Sequence, residues 1–239
     1  MSAPAEKEKA KTHKLSLKGS SKLVAEFFNY SINTILFQRG VYPAEDFNPV
    51  KKYGLTMLVS SDDQVKAYIK KIMSQLDKWM IGGKISKLVV VITSKDTGEH
   101  VERWQFDVEI LKKSSSSKKP SSSTSKAAST DKENAGPSTS SSSSSTTPTA
   151  APTEAEIQAS IQAIFRQITA SVTFLPQLDG ECTFNVLVYA DADSEVPMEW
   201  GDSDAKEVPG GEKVQLRSFS TSNHRVETMV SYKVRNDDM

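Results

Sequence analysis

Apolar residues recur at helical spacing in three stretches of the chain. In the first, from about Ser21 to Arg39, they cover so wide a face that the helix is expected to be buried on most sides. The second follows an N-cap at Ser61 or Asp62 and ends at Gly82-Gly83. The third begins with a capping-box pattern at Thr153 to Glu156, whose end residues can satisfy each other's backbone N–H groups. These patterns predict three helices, the first of them central.

Two neighbouring stretches are typical of strands. Residues 85–93 are apolar throughout their centre, as expected of a strand covered on both faces. A turn containing Gly98 follows, and residues 100–110 then alternate with a period of two, so that Trp104 lies on one face and Arg103 on the other. This pattern predicts a hairpin whose second strand has one face in water.

The last third of the chain combines strand-like runs with a long acidic connection. Residues 181–190, 214–220 and 224–234 read as strands, and residues 191–213 join the first of these runs to the other two. A connection of this length inside a compact domain is usually functional or disordered. The strands beyond it could pair elsewhere on the sheet without unravelling the helices. We therefore expect a mobile strap that closes over a partner peptide, on an α+β fold with three helices packed on a mainly antiparallel sheet.

Other segments lack the apolar residues needed to fold. Residues 1–14 are polar and rich in lysine, and residues 112–152 consist largely of Ser, Thr, Lys, Ala and Pro. We expect a disordered tail and a disordered insertion within one domain, because the entropy of loop closure grows only slowly with loop length. Leu15 and Leu17 alternate with polar neighbours and predict a short edge strand.

A triplet inside the insertion matches a short degradation signal. Lys132, Glu133 and Asn134 form the motif read by activators of the anaphase-promoting ubiquitin ligase. A match of three residues arises easily by chance, although a disordered setting would keep the triplet accessible.

Charge and side-chain chemistry exclude several kinds of function. Lys and Arg number 30, as do Asp and Glu, so the chain lacks the positive charge expected for non-specific nucleic-acid binding. Cys182 is the only cysteine, which rules out an intramolecular disulfide and favours an intracellular compartment. No apolar run reaches membrane-spanning length and the start does not resemble a secretory signal, so we expect a nuclear or cytosolic protein that binds no membrane.

The sequence offers no catalytic or metal-binding set. His13, His100 and His224 have no ligand-like spacing, and a single cysteine argues against a zinc site. The chain lacks a Gly-rich phosphate loop, a nucleophile elbow and a kinase signature. We therefore expect no metal, no cofactor and no enzymatic activity.

Several short segments together resemble the HORMA domain, in particular the branch of that family that acts in the mitotic spindle assembly checkpoint. The segments are Val24-Ala-Glu-Phe-Phe28, Gln38-Arg-Gly-Val-Tyr-Pro43, Lys52-Tyr-Gly-Leu55, Leu88-Val-Val-Val-Ile92, Glu102-Arg-Trp-Gln-Phe-Asp107, Arg166-Gln-Ile-Thr-Ala170, Val172-Thr-Phe-Leu-Pro176 and Leu216-Arg-Ser-Phe219. The resemblance implies that residues 15–239 form one HORMA domain. The insertion at 112–152 interrupts it, and it ends in a segment called the safety belt, residues 181–239.

The resemblance also implies how such a protein works. These HORMA domains are not enzymes, and they adopt an open and a closed fold that differ in where the C-terminal strands lie. In the closed form an extended peptide joins the sheet and the safety belt crosses over it, so that main-chain hydrogen bonds hold the peptide. The implied function is to clasp a motif of the activator subunit of the anaphase-promoting complex and inhibit it, which delays anaphase.

Further partners and an alternative follow from the same resemblance. A coiled-coil kinetochore receptor would carry a competing motif, an open and a closed copy would form a dimer, and an AAA+ remodelling ATPase with its adaptor would be a further partner. The expected locations are the nucleus, the kinetochore and the cytoplasm. The alternative is a HORMA adaptor of another pathway, either the accessory subunit of a translesion polymerase or a meiotic axis protein.

The candidate site residues are carried over from the resemblance position by position. Conformer dimerisation is assigned to Arg166, Gln167 and Phe174. The conformational switch is assigned to Leu17, Trp79, His224, Val226, Thr228 and Tyr232. Within the safety belt the matching residues are Asp191, Trp200, Gly210 and Gly211. Ordinary strand packing is the alternative interpretation for the last four switch residues.

Overall fold

In the part of the chain that the computed structural model describes, residues 16–111, 151–198 and 200–234, three α-helices pack on an antiparallel sheet. The helices are α1 (Leu17–Gln38), α2 (Asp63–Ile81) and α3 (Glu154–Ala170). A separate hairpin is formed by β1 (Phe47–Lys52) and β2 (Leu55–Ser60). The main sheet contains β3 (Ile85–Ser94), β4 (His100–Ile110), β5 (Cys182–Ala190), β6 (Glu212–Gln215), β7 (Phe219–Ser220) and β8 (His224–Tyr232). This architecture confirms the predicted α+β fold.

In the main sheet, β5 is separated from the three other strands of the C-terminal third, β6, β7 and β8. The order is β5-β3-β4-β8-β6, with β7 also paired to β8. β3 and β4 therefore lie inside the sheet, and β5 forms one edge. The strands that follow the long connection all lie beyond β4, on the other side of the sheet from β5.

Local caps explain where the helices begin and end. The Ser16 hydroxyl accepts a hydrogen bond from the Gly19 N–H and starts α1 four residues before the predicted position. Leu17 is thus helical, and the short edge strand expected there is wrong at this residue. Asp62 caps α2 as predicted, and the capping box of Thr153 and Glu156 is present at the start of α3.

The core lies between the helices and the sheet face that carries Leu88 and Trp104. Phe27 of α1 is fully buried, and its ring lies 4.9–5.8 Å from those of Phe106, Phe165 and Phe219. One side chain of α1 therefore joins α3, β4 and β7, since tilted and edge-on aromatic contacts at such distances are favourable. The central position predicted for the first helix is confirmed.

The β1–β2 hairpin has no counterpart among the sequence predictions. Its turn consists of Tyr53 and Gly54, which have φ values of 49° and 68°. The usual sequence signal for such a turn is Asn-Gly. The pair Tyr-Gly lacks this signal, so the hairpin could not be recognised from the sequence. The Tyr53 hydroxyl donates to Glu26 at 2.6 Å, and its carbonyl accepts from Gln162 at 3.1 Å. The turn is thereby fixed to both α1 and α3.

The two faces of the β3–β4 hairpin differ from the predicted pattern at one point. Val89 and Val91 are fully buried on the face opposite the helical core, so β3 is covered on both faces as predicted. On β4, however, Arg103 is only 2% exposed, although its face was expected to be in water. The expectation is wrong there because a segment distant in sequence covers this side chain.

Several expectations lie outside the described residues. They concern the tail at 1–14, most of the insertion at 112–152 and the triplet Lys132, Glu133 and Asn134. These remain predictions.

Candidate functional site

β5 has one paired side and one open side. Its pairing with β3 is antiparallel along its whole length, and no strand in the described part of the chain pairs with its outer side. The Val186 N–H points outward and donates to the Tyr68 hydroxyl of α2 at 3.2 Å. Because backbone groups of successive residues point to opposite sides, those of Phe184 and Val188 also face outward. An edge of this kind can accept a further strand.

A crossing segment, residues 191–211, leads from β5 to β6. It begins close to the end of α2, where the Asp191 N–H donates to the Lys84 carbonyl at 2.7 Å and the Asp193 carboxylate pairs with the Lys84 ammonium. That ion pair lowers the pKa of Asp193, mainly through its hydrogen bond to Lys84. Trp79 donates its indole N–H to the Glu195 carbonyl at 3.1 Å. The first half of the segment is thus held by the helical layer.

The second half of the crossing segment lies against the opposite face of the sheet. The Arg103 side chain donates from Nε to the Ala205 carbonyl at 3.2 Å, and its Nη2 lies 3.4 Å from the Glu207 carboxylate. Its Nη1 donates to Gln105 at 2.6 Å. Val208, a few residues on, is buried. One connection therefore contacts the helical layer with its first half and the opposite face of the sheet with its second half.

The glycine pair at the end of the crossing segment has a steric role. Gly210 has a φ of +65°, in the left-handed region that favours glycine. A Cβ on Gly211 would lie 2.9 Å from the Tyr232 carbonyl and 2.8 Å from the Val208 side chain. The turn into β6 therefore requires close backbone approach to the end of β8.

The residues of the C-terminal strands that were assigned to the conformational switch lie along β4. β8 pairs with β4 from Glu102 opposite Tyr232 to Ile110 opposite His224. Val226 and Thr228 are fully buried in this pairing. The Tyr232 hydroxyl donates to the Glu212 carboxylate of β6 at 2.9 Å. The structure therefore places these strands at the β4 side, and no strand of the described residues pairs with the outer edge of β5.

A small polar cluster connects the C-terminal tail, by which we mean residues 212–234 with strands β6, β7 and β8, to the start of α1. His224 is fully buried, and its Nδ1 lies 2.6 Å from the Ser20 hydroxyl. The Ser20 hydroxyl also lies 2.6 Å from that of Thr221. Burial lowers the pKa of His224, so the ring is neutral at physiological pH. Leu17, at the first position of α1, remains 41% exposed.

The residues assigned to dimerisation lie on or just after α3. Arg166 is exposed, whereas the Gln167 side chain accepts a hydrogen bond from the Arg217 N–H at 2.7 Å. Phe174 is 42% exposed, and its ring lies 6.1 Å from that of Tyr232. Gln167 and Phe174 thus contact the C-terminal tail, and Arg166 is available to a partner.

Two of the candidate site residues are in contact in the structure, and two residues that were not candidates also contact the site. Trp79 meets Trp200 of the crossing segment, with ring centroids 5.2 Å apart. Sequence reasoning missed the roles of Tyr68, which lies at the open edge, and of Arg103, which holds the crossing segment. Helical periodicity places Tyr68 on the buried face of α2, and strand alternation places Arg103 in water, so neither pattern signals these contacts.

The described ranges offer neither a metal site nor a membrane span. Residues 16–111, 151–198 and 200–234 hold no group of three or more His, Cys, Asp or Glu side chains suited to a metal ion. Across the same ranges no helix has both the length and the apolar character needed to cross a bilayer.

Comparison with known proteins places this arrangement in a family. The family model described as "HORMA domain" matches residues 20–224. The chain belongs to the HORMA domain family. The resemblance found in the sequence is thereby confirmed.

Individual relatives of this chain carry names that state a function. The Schizosaccharomyces pombe protein "Mitotic spindle checkpoint component mad2" is 54% identical over 219 residues, which cover 92% of this chain and 94% of that protein.

Two further comparisons agree with this HORMA assignment. The Saccharomyces cerevisiae protein "Mitotic spindle checkpoint component MAD2" is 47% identical over 221 residues, covering 92% of this chain and 97% of that protein. A chain in a solved structure described as "Crystal Structure of Mitotic Checkpoint Complex" has a TM-score of 0.71 and 52% identity. The match covers 91% of this chain and 100% of that one. The predicted HORMA fold is therefore confirmed.

Proposed function

We propose that this HORMA protein acts in the spindle assembly checkpoint by clasping an extended peptide along the open edge of β5. The observation that carries the proposal is the outer edge of β5 around Val186, with which no strand of the described residues pairs. The crossing segment starts at the end of this strand and contacts α2 at Trp79 and the face of the sheet opposite the helices at Arg103. A peptide strand would gain main-chain hydrogen bonds from the outward groups of β5. The crossing segment would then enclose it, as the safety belt of the family does.

The position of the tail supports the closed conformer for this structure. β8 occupies the β4 side of the sheet, so the C-terminal strands do not compete with a peptide for β5. In the open conformer these strands would lie elsewhere and the crossing segment would detach. Passage of a peptide requires this local opening, so capture and release are slow.

The proposed partner is the activator subunit of the anaphase-promoting complex, which the clasp inhibits. The protein thus acts by binding rather than by catalysis. A coiled-coil kinetochore receptor presents a competing motif, an open copy dimerises with a closed one, and an AAA+ ATPase with its adaptor remodels the closed form. These events occur at the kinetochore, in the nucleus and in the cytoplasm.

Sequence identity favours this function over that of another HORMA adaptor. The relatives at 54% and 47% identity are both named as mitotic spindle checkpoint components, and each match covers 92% of this chain. A translesion polymerase subunit or a meiotic axis protein would share the fold but has no comparable support.

Peptides tiled over the anaphase-promoting-complex activator test the proposal. We expect one short region to be captured slowly and to protect the backbone amides of Phe184, Val186 and Val188 from hydrogen exchange. Deletion of residues 230–239 removes the end of β8 and should prevent capture, because the closed position of the tail is lost. Scrambled peptides are the control. Capture of no peptide, or capture that protects a surface away from β5, would contradict the proposal.

A further inference from the structure

Tyr68 of α2 makes the contact that covers the open edge of β5. Its hydroxyl accepts the hydrogen bond of the Val186 N–H at 3.2 Å. Its ring packs edge-on against Phe184, with centroids 5.5 Å apart, and the side chain remains 39% exposed. The tyrosine is therefore anchored by its ring, while its hydroxyl lies at the strand edge.

The position of this hydroxyl is the one that an added strand needs. Val186 pairs with Val90 of β3 on its inner side, and its N–H points away from that strand. When a strand joins an edge, its carbonyl oxygens accept from such outward N–H groups. One donor cannot serve the Tyr68 hydroxyl and a peptide carbonyl equally well, because both require the same direction at the N–H.

We propose that the Tyr68 hydroxyl is a placeholder for the backbone carbonyl of the clasped peptide. In the empty protein it satisfies an edge N–H that would otherwise invite unwanted pairing. When a peptide enters, the hydrogen bond between the Tyr68 hydroxyl and the Val186 N–H breaks, while the Tyr68 ring remains packed against Phe184. Tyr68 thus lowers the affinity for every peptide that pairs with β5 and leaves the choice among them to side-chain contacts. This inference rests on the proposed peptide-clasping function.

Its neighbour in the same aromatic group provides a matched control. The Tyr42 ring also packs edge-on against Phe184, with centroids 6.1 Å apart. Within the described residues its hydroxyl makes no hydrogen bond to β5. Tyr42→Phe therefore removes a hydroxyl beside the same edge strand and leaves the Val186 N–H as it is.

The test compares Tyr68→Phe with Tyr42→Phe and the parent chain. In the empty protein we expect Tyr68→Phe to speed hydrogen exchange at the Val186 amide, while amides inside β3 keep their protection and report an intact fold. With the activator peptide found by tiling, we expect Tyr68→Phe to bind about two- to tenfold more tightly than the parent chain. The parent must break the hydrogen bond between Val186 and Tyr68 before the peptide can pair, and this factor corresponds to the net contribution of one hydrogen bond. Tyr42→Phe should match the parent in both measurements.

The outcomes separate this inference from the proposed function. Tighter binding by Tyr68→Phe together with faster Val186 exchange supports the placeholder. Weaker binding would show that the hydroxyl contacts the peptide directly, and unchanged binding would show that it does not compete, so either result overturns the inference while the clasp stands. If the parent chain captures no activator peptide, the proposed function fails and the placeholder fails with it.

Discussion

Trp200 of the crossing segment packs edge-on against Trp79 of α2, with ring centroids 5.2 Å apart and planes at 79°. The Trp79 indole N–H is already committed to the Glu195 carbonyl in the same segment. Trp79 is 6% exposed, so this end of α2 depends on the crossing segment for part of its burial. In the proposed mechanism, this contact would form when the segment closes and break when it opens.

Trp200→Ala should loosen the crossing segment without unfolding the domain. Loss of an aromatic contact and of the area it buries costs on the order of 1–3 kcal/mol, so bound peptide should leave roughly ten times faster. Peptide dissociation measured by competition checks this. Met198→Ala is the control, because Met198 lies in the same segment and is fully exposed. Equal release rates for both variants would exclude Trp200 as a closing contact.

Arg103→Gln should release the other half of the crossing segment. It removes the donor to the Ala205 carbonyl and the partner of Glu207 from a site that is 2% exposed. We expect a loss of about 1–3 kcal/mol in the free energy of unfolding, with faster hydrogen exchange near Val208. Glu207→Gln should cost much less, because that carboxylate is 55% exposed and exposed ion pairs contribute little.

Arg225→Gln provides the matched control for Arg103→Gln. Arg225 on β8 also pairs with a glutamate, Glu227, but its side chain is 47% exposed. We expect its substitution to leave the amides near Val208 unchanged. If the variants at Arg103 and Arg225 lower the free energy of unfolding equally little and leave exchange near Val208 unchanged, the hydrogen bond from Arg103 to the Ala205 carbonyl does not hold the segment.

The helices could be predicted from the sequence because their determinants are local. The cap at Asp62 and the capping box at Thr153 use atoms three residues apart, so their spacing is visible in the chain. The β3–β4 hairpin was predictable for a similar reason. Its strands are adjacent in sequence and its turn is short.

The site could not be predicted in this way because its contacts are distant in sequence. Arg103 and Ala205 are 102 residues apart, and Tyr68 and Val186 are 118 apart. Strand alternation assigns Arg103 to water unless the covering segment is known. Resemblance assigned Trp79 to the conformational switch and Trp200 to the safety belt. Their packing against each other, like the open β5 edge, became visible only in the structure.

Arg166→Glu and Gln167→Ala should have separable effects. Arg166 is exposed, so reversing its charge should weaken self-association at least tenfold and leave peptide capture unchanged. Gln167 accepts from the Arg217 N–H of the tail, so its loss should also weaken the closed position of that tail. Sedimentation velocity for dimerisation and peptide capture for closure check the two effects. If Gln167→Ala captures peptide as well as Arg166→Glu does, its bond to the tail has no part in closure.

Acid should favour release of the C-terminal tail through His224. The ring is buried against the Ser20 hydroxyl, and burial lowers its pKa below the ordinary value of 6.5. The docked tail therefore binds fewer protons than the released tail as the pH falls below about 6.5, so its stability is complete above that pH and declines below it. We expect the closed fraction, resolved by ion-exchange chromatography, to fall progressively as the pH is lowered below about 6.5.

Two variants assign this pH dependence to its residue. His224→Gln cannot titrate, so it should flatten the pH profile of the closed fraction even if it lowers that fraction throughout. His100→Gln should keep the parent profile, because His100 lies on β4 and bonds to Thr93 at the β3–β4 end rather than to the tail. Because both variants remove one histidine, a general effect of charge on the column would shift them alike. A profile that survives His224→Gln would show that another group drives the release.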